Sequence, residues 1–160
     1  MVARRYQDLI AWEMAEEFKR EVFRIVLASP QACADRRYKD QLFSAAQSVS
    51  ANIAEGFVRR SPGDFRRFLR ISLGSLAEAE VRLRDGIAMS YFKDSDCELA
   101  FRFGRRCAVA STRLAKSQLA FIKPGRPPRT REPEDPRTRE PENPRTTVPS
   151  APVQPFRQLE

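Results

Sequence analysis

Ser48-Val49-Ser50-Ala51-Asn52-Ile53-Ala54-Glu55-Gly56-Phe57-Val58-Arg59-Arg60-Ser61-Pro62-Gly63-Asp64-Phe65 reads as the end of one helix, a break, and the start of the next. Ser61-Pro62-Gly63-Asp64 carries the boundary. The serine hydroxyl can accept from orphan backbone N–H groups, and the acid three residues later can do the same. Proline loses nothing at a first helical position, where its missing N–H has no intrahelical partner. Upstream, Leu42, Ala45, Ala46, Val49, Ile53 and Phe57 recur at helical steps and predict a helix over Tyr38 to Arg60. Downstream, Phe65, Phe68, Leu69, Ser72, Leu76, Ala79 and Leu83 predict a second, from Pro62 towards Met89. The upstream helix is dense in small residues, among them Ser44, Ser48, Ala51, Ala54 and Gly56, which marks it as a central helix of a bundle. Mid-helix glycine costs about 1 kcal/mol relative to alanine, so Gly74 predicts a close helix crossing.

Two more helices flank this pair. Leu9, Trp12, Ala15, Phe18, Val22 and Ile25 predict one over Tyr6 to Ala28, stopped by Ser29-Pro30, with polar Gln31 to Arg37 as a connection. Asp94 or Ser95 is placed to cap the last, running through about Phe121 with Leu99, Phe103, Cys107, Ala110, Leu114 and Phe121 as its apolar stripe. Short connections favour antiparallel neighbours, so the expectation is an all-α, up-down-up-down antiparallel four-helix bundle over residues 1–123. Beyond it, Pro128-Arg-Thr-Arg-Glu-Pro-Glu-Asp135 repeats as Pro136-Arg-Thr-Arg-Glu-Pro-Glu-Asn143. Alternating charge and proline cannot bury apolar surface, which predicts a disordered Pro/Arg/Glu-rich C-terminal tail over 124–160.

A chain of 160 residues suits one domain with its own core. Residues 1–123 hold 22 of the 29 Lys and Arg and 15 of the 21 Asp and Glu, so +7 of the net +8 belongs to the expected bundle. Polyanions, or an acidic protein face, are the partners this charge favours. The absence of histidine removes the Ser-His-Asp and Cys-His arrangements and the commonest zinc ligand. Cys33, Cys97 and Cys107 form no CxxC motif, and no apolar run is long enough to span a membrane. A cytoplasmic, non-enzymatic protein without metal or cofactor is the expectation.

The block Ser48 to Phe57, then Arg59-Arg60-Ser61, Asp64-Phe65, Arg67-Phe68-Leu69 and Ser72-Leu-Gly-Ser-Leu-Ala-Glu78 resemble the four-helix-bundle family of 23S rRNA-intervening sequence proteins. Tyr6-Gln-Asp-Leu-Ile-Ala-Trp12 resembles that family's start, and the likeness covers about residues 6–120. The resemblance implies a homopentamer around a positively charged opening and an accessory role. One branch of the family assists the reverse transcriptase of diversity-generating retroelements and binds nucleic acid.

Three residue groups are candidates for function. Arg59, Arg60, Arg66, Arg67 and Arg70 face only Asp64 in their own segment, and the arginine fork suits phosphate. Arg102, Arg106 and Arg113 follow steps of four and seven on the last helix, with Arg105 beside them, and extend the positive surface. Asn52 and Glu55, with Gly56 and Gly74, form the third, structural group. The two polar residues are expected in a buried or interfacial hydrogen-bond network with Ser72, Ser75 or a neighbouring arginine. No RNP-like motif, GXXG loop or zinc knuckle is present, so contact with RNA or DNA would be to backbone phosphate. The expected function is thus a non-catalytic, oligomeric, nucleic-acid-binding accessory of a reverse transcriptase or other RNA-processing enzyme. The alternative is a homo-oligomeric protein scaffold that binds no nucleic acid.

Overall fold

The structure, a computed structural model, describes residues 3–122, and the tail expected over 124–160 lies outside the described residues. A 3-10 turn at Tyr6–Asp8 leads into α1 (Ile10–Leu27), α2 (Pro30–Ala34), α3 (Arg36–Val58), α4 (Pro62–Ala88) and α5 (Asp94–Gln118). A last 3-10 turn at Leu119–Phe121 follows, and the described residues hold no strand. The four long helices, α1, α3, α4 and α5, form the expected all-α bundle. The ring runs α1–α3–α4–α5 and back to α1, with α3 against α4 and α1 against α5 as its most extensive pairings.

Local chemistry explains the boundaries. Ser61 Oγ accepts the Asp64 N–H at 3.3 Å and Pro62 opens α4, as the sequence predicts. The stretch 31–37 is more ordered than a plain connection, because Ser29-Pro30 starts a new helix as well as ending α1. Ser29 Oγ accepts the Ala32 N–H at 3.2 Å to cap α2, and Asp35 accepts the Tyr38 N–H at 3.0 Å to cap α3. The start of α5 shifts by one residue. Lys93 takes the cap position, and its backbone N–H donates to Asp96 at 3.0 Å. The same end of the bundle is tied across helices by side chains. Tyr38 donates its hydroxyl to the Arg82 carbonyl at 2.8 Å, Tyr91 to Asp35 at 2.9 Å, and Ser29 to the Tyr91 carbonyl at 2.7 Å.

The stripes read for the first three long helices line the core, where Phe18, Val22, Leu42, Val49, Ile53, Leu69 and Leu83 are fully buried. Phe65 and Phe68 are buried too, and Trp12 is half-buried with its ring edge-on to Tyr6. The stripe expected for the last helix holds at Cys107, which is buried, and at Phe103, Ala110 and Leu114, which pack half-buried against the core; its two ends are corrected. Leu99 is 38% exposed and Phe121 69%, while Cys97, Ala100, Phe101, Gly104, Cys107, Ser111 and Ala115 face inward. Large side chains of α1 fill the space that these small residues leave; Phe18 lies 3.5 Å from where a Cβ on Gly104 would stand. Steps between large apolar residues therefore miss the small residues at the centre of the buried face of α5.

Close approach of α3 and α4 occurs at Gly56, where an added Cβ would stand 2.6 Å from Phe68 Cβ. Gly74 overturns the expected crossing: it is exposed, and a Cβ there would meet nothing within 4 Å. Ser44 and Ala51 also face outward, so not all the small residues of α3 serve internal packing.

Candidate nucleic-acid interface

The first arginine group straddles the break between α3 and α4. Arg59 ends α3 and is committed locally. Its Nε donates to Glu55 at 3.2 Å, and its guanidinium lies 4.8 Å from the centroid of the Phe68 ring. Arg60 adopts the left-handed conformation (φ 55°) that turns the chain from α3 to α4. Arg67 and Arg70 are exposed on α4 and Arg66 is half-buried. Asn52 and Glu55 do not reach a neighbouring helix of the chain. Asn52 Nδ2 donates to the Ser48 carbonyl at 2.7 Å, and Glu55 is exposed and pairs with Arg59 one turn on. The cross-helix bond at this level belongs to Ser72, whose hydroxyl donates to the Val49 carbonyl at 2.8 Å.

The second group stays together. Glu98 is the last acidic residue of α5, so Leu99 to Gln118 carries Arg102, Arg105, Arg106, Arg113 and Lys116 with no carboxylate. All five are exposed. Among the described residues none of them has a carboxylate within ion-pair distance. The inward turn of Ala100, Gly104, Cys107 and Ser111 points Arg102, Arg106 and Arg113 outward in one row. From Arg102 to Lys116 the row is about 21 Å long at ~1.5 Å per residue. Lys116, and the apolar Val109 that interrupts the row, escaped the sequence reading. An acid-free helix face in a chain with 21 acidic residues was the signal available.

Behind the row lies Glu80 of α4. An added Cβ on Gly104 would stand 2.5 Å from its Oε1, so glycine at 104 makes room for the carboxylate. Burial pushes the Glu80 carboxyl above the usual carboxylate range, opposed by the charges of Arg84 and Arg105. A carboxyl with a raised native pKa favours folding below its unfolded pKa, and that advantage is lost as pH rises through the native value. Wild type should therefore gain stability relative to Glu80→Gln as pH falls from neutral through that window above 4.5. Urea midpoints of the two proteins against pH check this; parallel curves would show that the carboxyl is not perturbed.

Chemically the surface is an array of fixed cations. Burial pushes the Cys97 and Cys107 thiols up to about 11, which keeps both protonated and poorly nucleophilic. No group of three or more His, Cys, Asp or Glu among the described residues stands where it could hold a metal ion. Nor is any helix among them long and apolar enough to cross a membrane.

Fold and surface together define a helical-bundle protein with a cationic outer helix. The profile of the 23S rRNA-intervening sequence protein family matches residues 7–102, and the chain belongs to that family. A search of curated proteins returns no match.

Proposed function

We propose that the protein is a non-catalytic, oligomeric nucleic-acid-binding accessory of an RNA-processing enzyme, such as a reverse transcriptase, that grips backbone phosphate with the outer face of α5. The observation that carries this is the row Arg102, Arg105, Arg106, Arg113 and Lys116, exposed and without acidic partners among the described residues. Elsewhere on the body Arg24 pairs with Glu21, Arg59 with Glu55 and Arg82 with Glu78, while Arg66, Arg67 and Arg70 of α4 are also without an ion pair among the described residues but form a shorter set of three. Unpaired guanidinium forks match phosphate oxygens, and membership of a family named for an rRNA insert fits an RNA partner.

The test is fluorescence anisotropy of the full chain with labelled structured RNA and duplex DNA across a salt series, with mass from light scattering fixing the binding unit. Five phosphate contacts predict an affinity loss of roughly 500-fold between ~50 and ~200 mM salt on duplex. No binding at low salt would leave the scaffold reading. The exposed Ile71 and Val81 on α4, which no other part of the described chain covers, favour that second reading. Under it, Arg66→Glu/Arg70→Glu would lower the mass of the assembly.

A further inference from the structure

We infer that the phosphate-binding face of α5 is built for single strands, with a seat for an unpaired base between its arginines; this rests on the proposed phosphate grip. A groove of about 750 Å³ runs between the start of α1 and α5. Arg105, Arg106 and Arg113 line it together with the apolar Ile10, Val109, Ala110 and Leu114. Ile10 is 64% and Val109 51% exposed, although both belong to well-formed helices. Apolar side chains set directly among unpaired cations serve a ligand that is anionic along its length and flat and apolar at intervals.

A single strand has that alternation, phosphate then base face, whereas a duplex stacks its bases inside and shows this groove only phosphate and sugar. The groove's one carboxylate, Asp8, is already occupied. It accepts the backbone N–H groups of Arg4 and Arg5 at 3.1 and 3.0 Å and pairs with the Arg5 guanidinium at 3.2 Å. Those bonds hold its charge in the turn that precedes α1, so it adds little repulsion to a phosphate at the groove's arginines. Chain geometry supports the seat as well: Val109 lies between Arg106 and Arg113 on the outward face, so a base resting on it leaves its flanking phosphates beside a guanidinium on either side.

The experiment compares the full chain with Ile10→Ser/Val109→Ser, using labelled oligouridylate and duplex RNA matched in phosphate number at one salt concentration. Leu27→Ser, exposed at the end of α1 away from the groove, is the control, and thermal melting establishes that each variant folds. Expected is tighter binding of the single strand by wild type, with a loss of about tenfold in the double variant confined to the single strand. Equal affinity for the two forms, or an equal loss for both, would overturn the base seat while leaving the phosphate grip intact. Binding of neither form at low salt would remove the grip itself, and the inference with it. Polyglutamate that displaces the strand as well as unlabelled oligouridylate does would overturn the inference in favour of an acidic peptide.

Discussion

Gly56→Ala is expected to lower the stability of the bundle by about 2 kcal/mol, although alanine is the better helix former. The new methyl carbon would stand 2.6 Å from Phe68 Cβ and 3.1 Å from Phe65 Cδ2. A Cβ moves only with its backbone, so relief requires α3 and α4 to separate along their largest shared surface. Overpacking of roughly 3 kcal/mol is offset in part by the ~1 kcal/mol propensity gain of alanine. For a body of this size the net loss corresponds to roughly 6–10 °C in melting temperature. Gly74→Ala is the natural comparison: its site is open, so propensity alone acts and stability should rise by up to ~1 kcal/mol. Calorimetry on both variants checks the pair, and a Gly56→Ala protein that melts above wild type would show that the helices do not meet there.

The second large effect concerns α5. Arg106→Glu/Arg113→Glu reverses two charges in the middle of the acid-free row while changing no buried contact, since both side chains are exposed. Folding should be unaffected, and nucleic-acid affinity at ~50 mM salt should fall by at least roughly 30-fold. The dependence on salt is the sharper readout. Loss of two phosphate contacts should flatten the logarithmic slope on duplex by about 1.8, from about −4.5 to about −2.7. The same reversal at Arg66 and Arg70 should leave that slope nearly unchanged, because those residues stand on a different helix. A larger effect at Arg66 and Arg70 than at Arg106 and Arg113 would move the interface to α4.

What could be read from the sequence followed what is local. The cap at Ser61, the proline at 62 and the stripes through Phe18, Ile53 and Leu69 all depend on residues within a turn or two of each other, and all are seen in the fold. The stripe of α5 depended on a neighbour: its inward face is set by how closely Phe18 and other side chains approach, which favours Gly104 and Ser111 over Leu99. Gly56 and Gly74 look alike in sequence, yet only one has a helix opposite it. The same limit applies to the site. Arginines at 59, 60, 66, 67 and 70 form the denser cluster along the chain, but Glu55, the Phe68 ring and the turn at Arg60 occupy the first two. The sparser set on α5 keeps its charges unpaired because no carboxylate comes within ion-pair distance of them among the described residues.

The row on α5 consists of four guanidiniums and one ammonium, in a chain with no imidazole at all. Guanidinium stays charged at any pH a cell can reach, and ammonium nearly so. The surface therefore behaves as a permanent ion exchanger. With no imidazole in the chain it lacks the usual side chain for a switch near neutral pH, and dissolved salt is what competes for its charges.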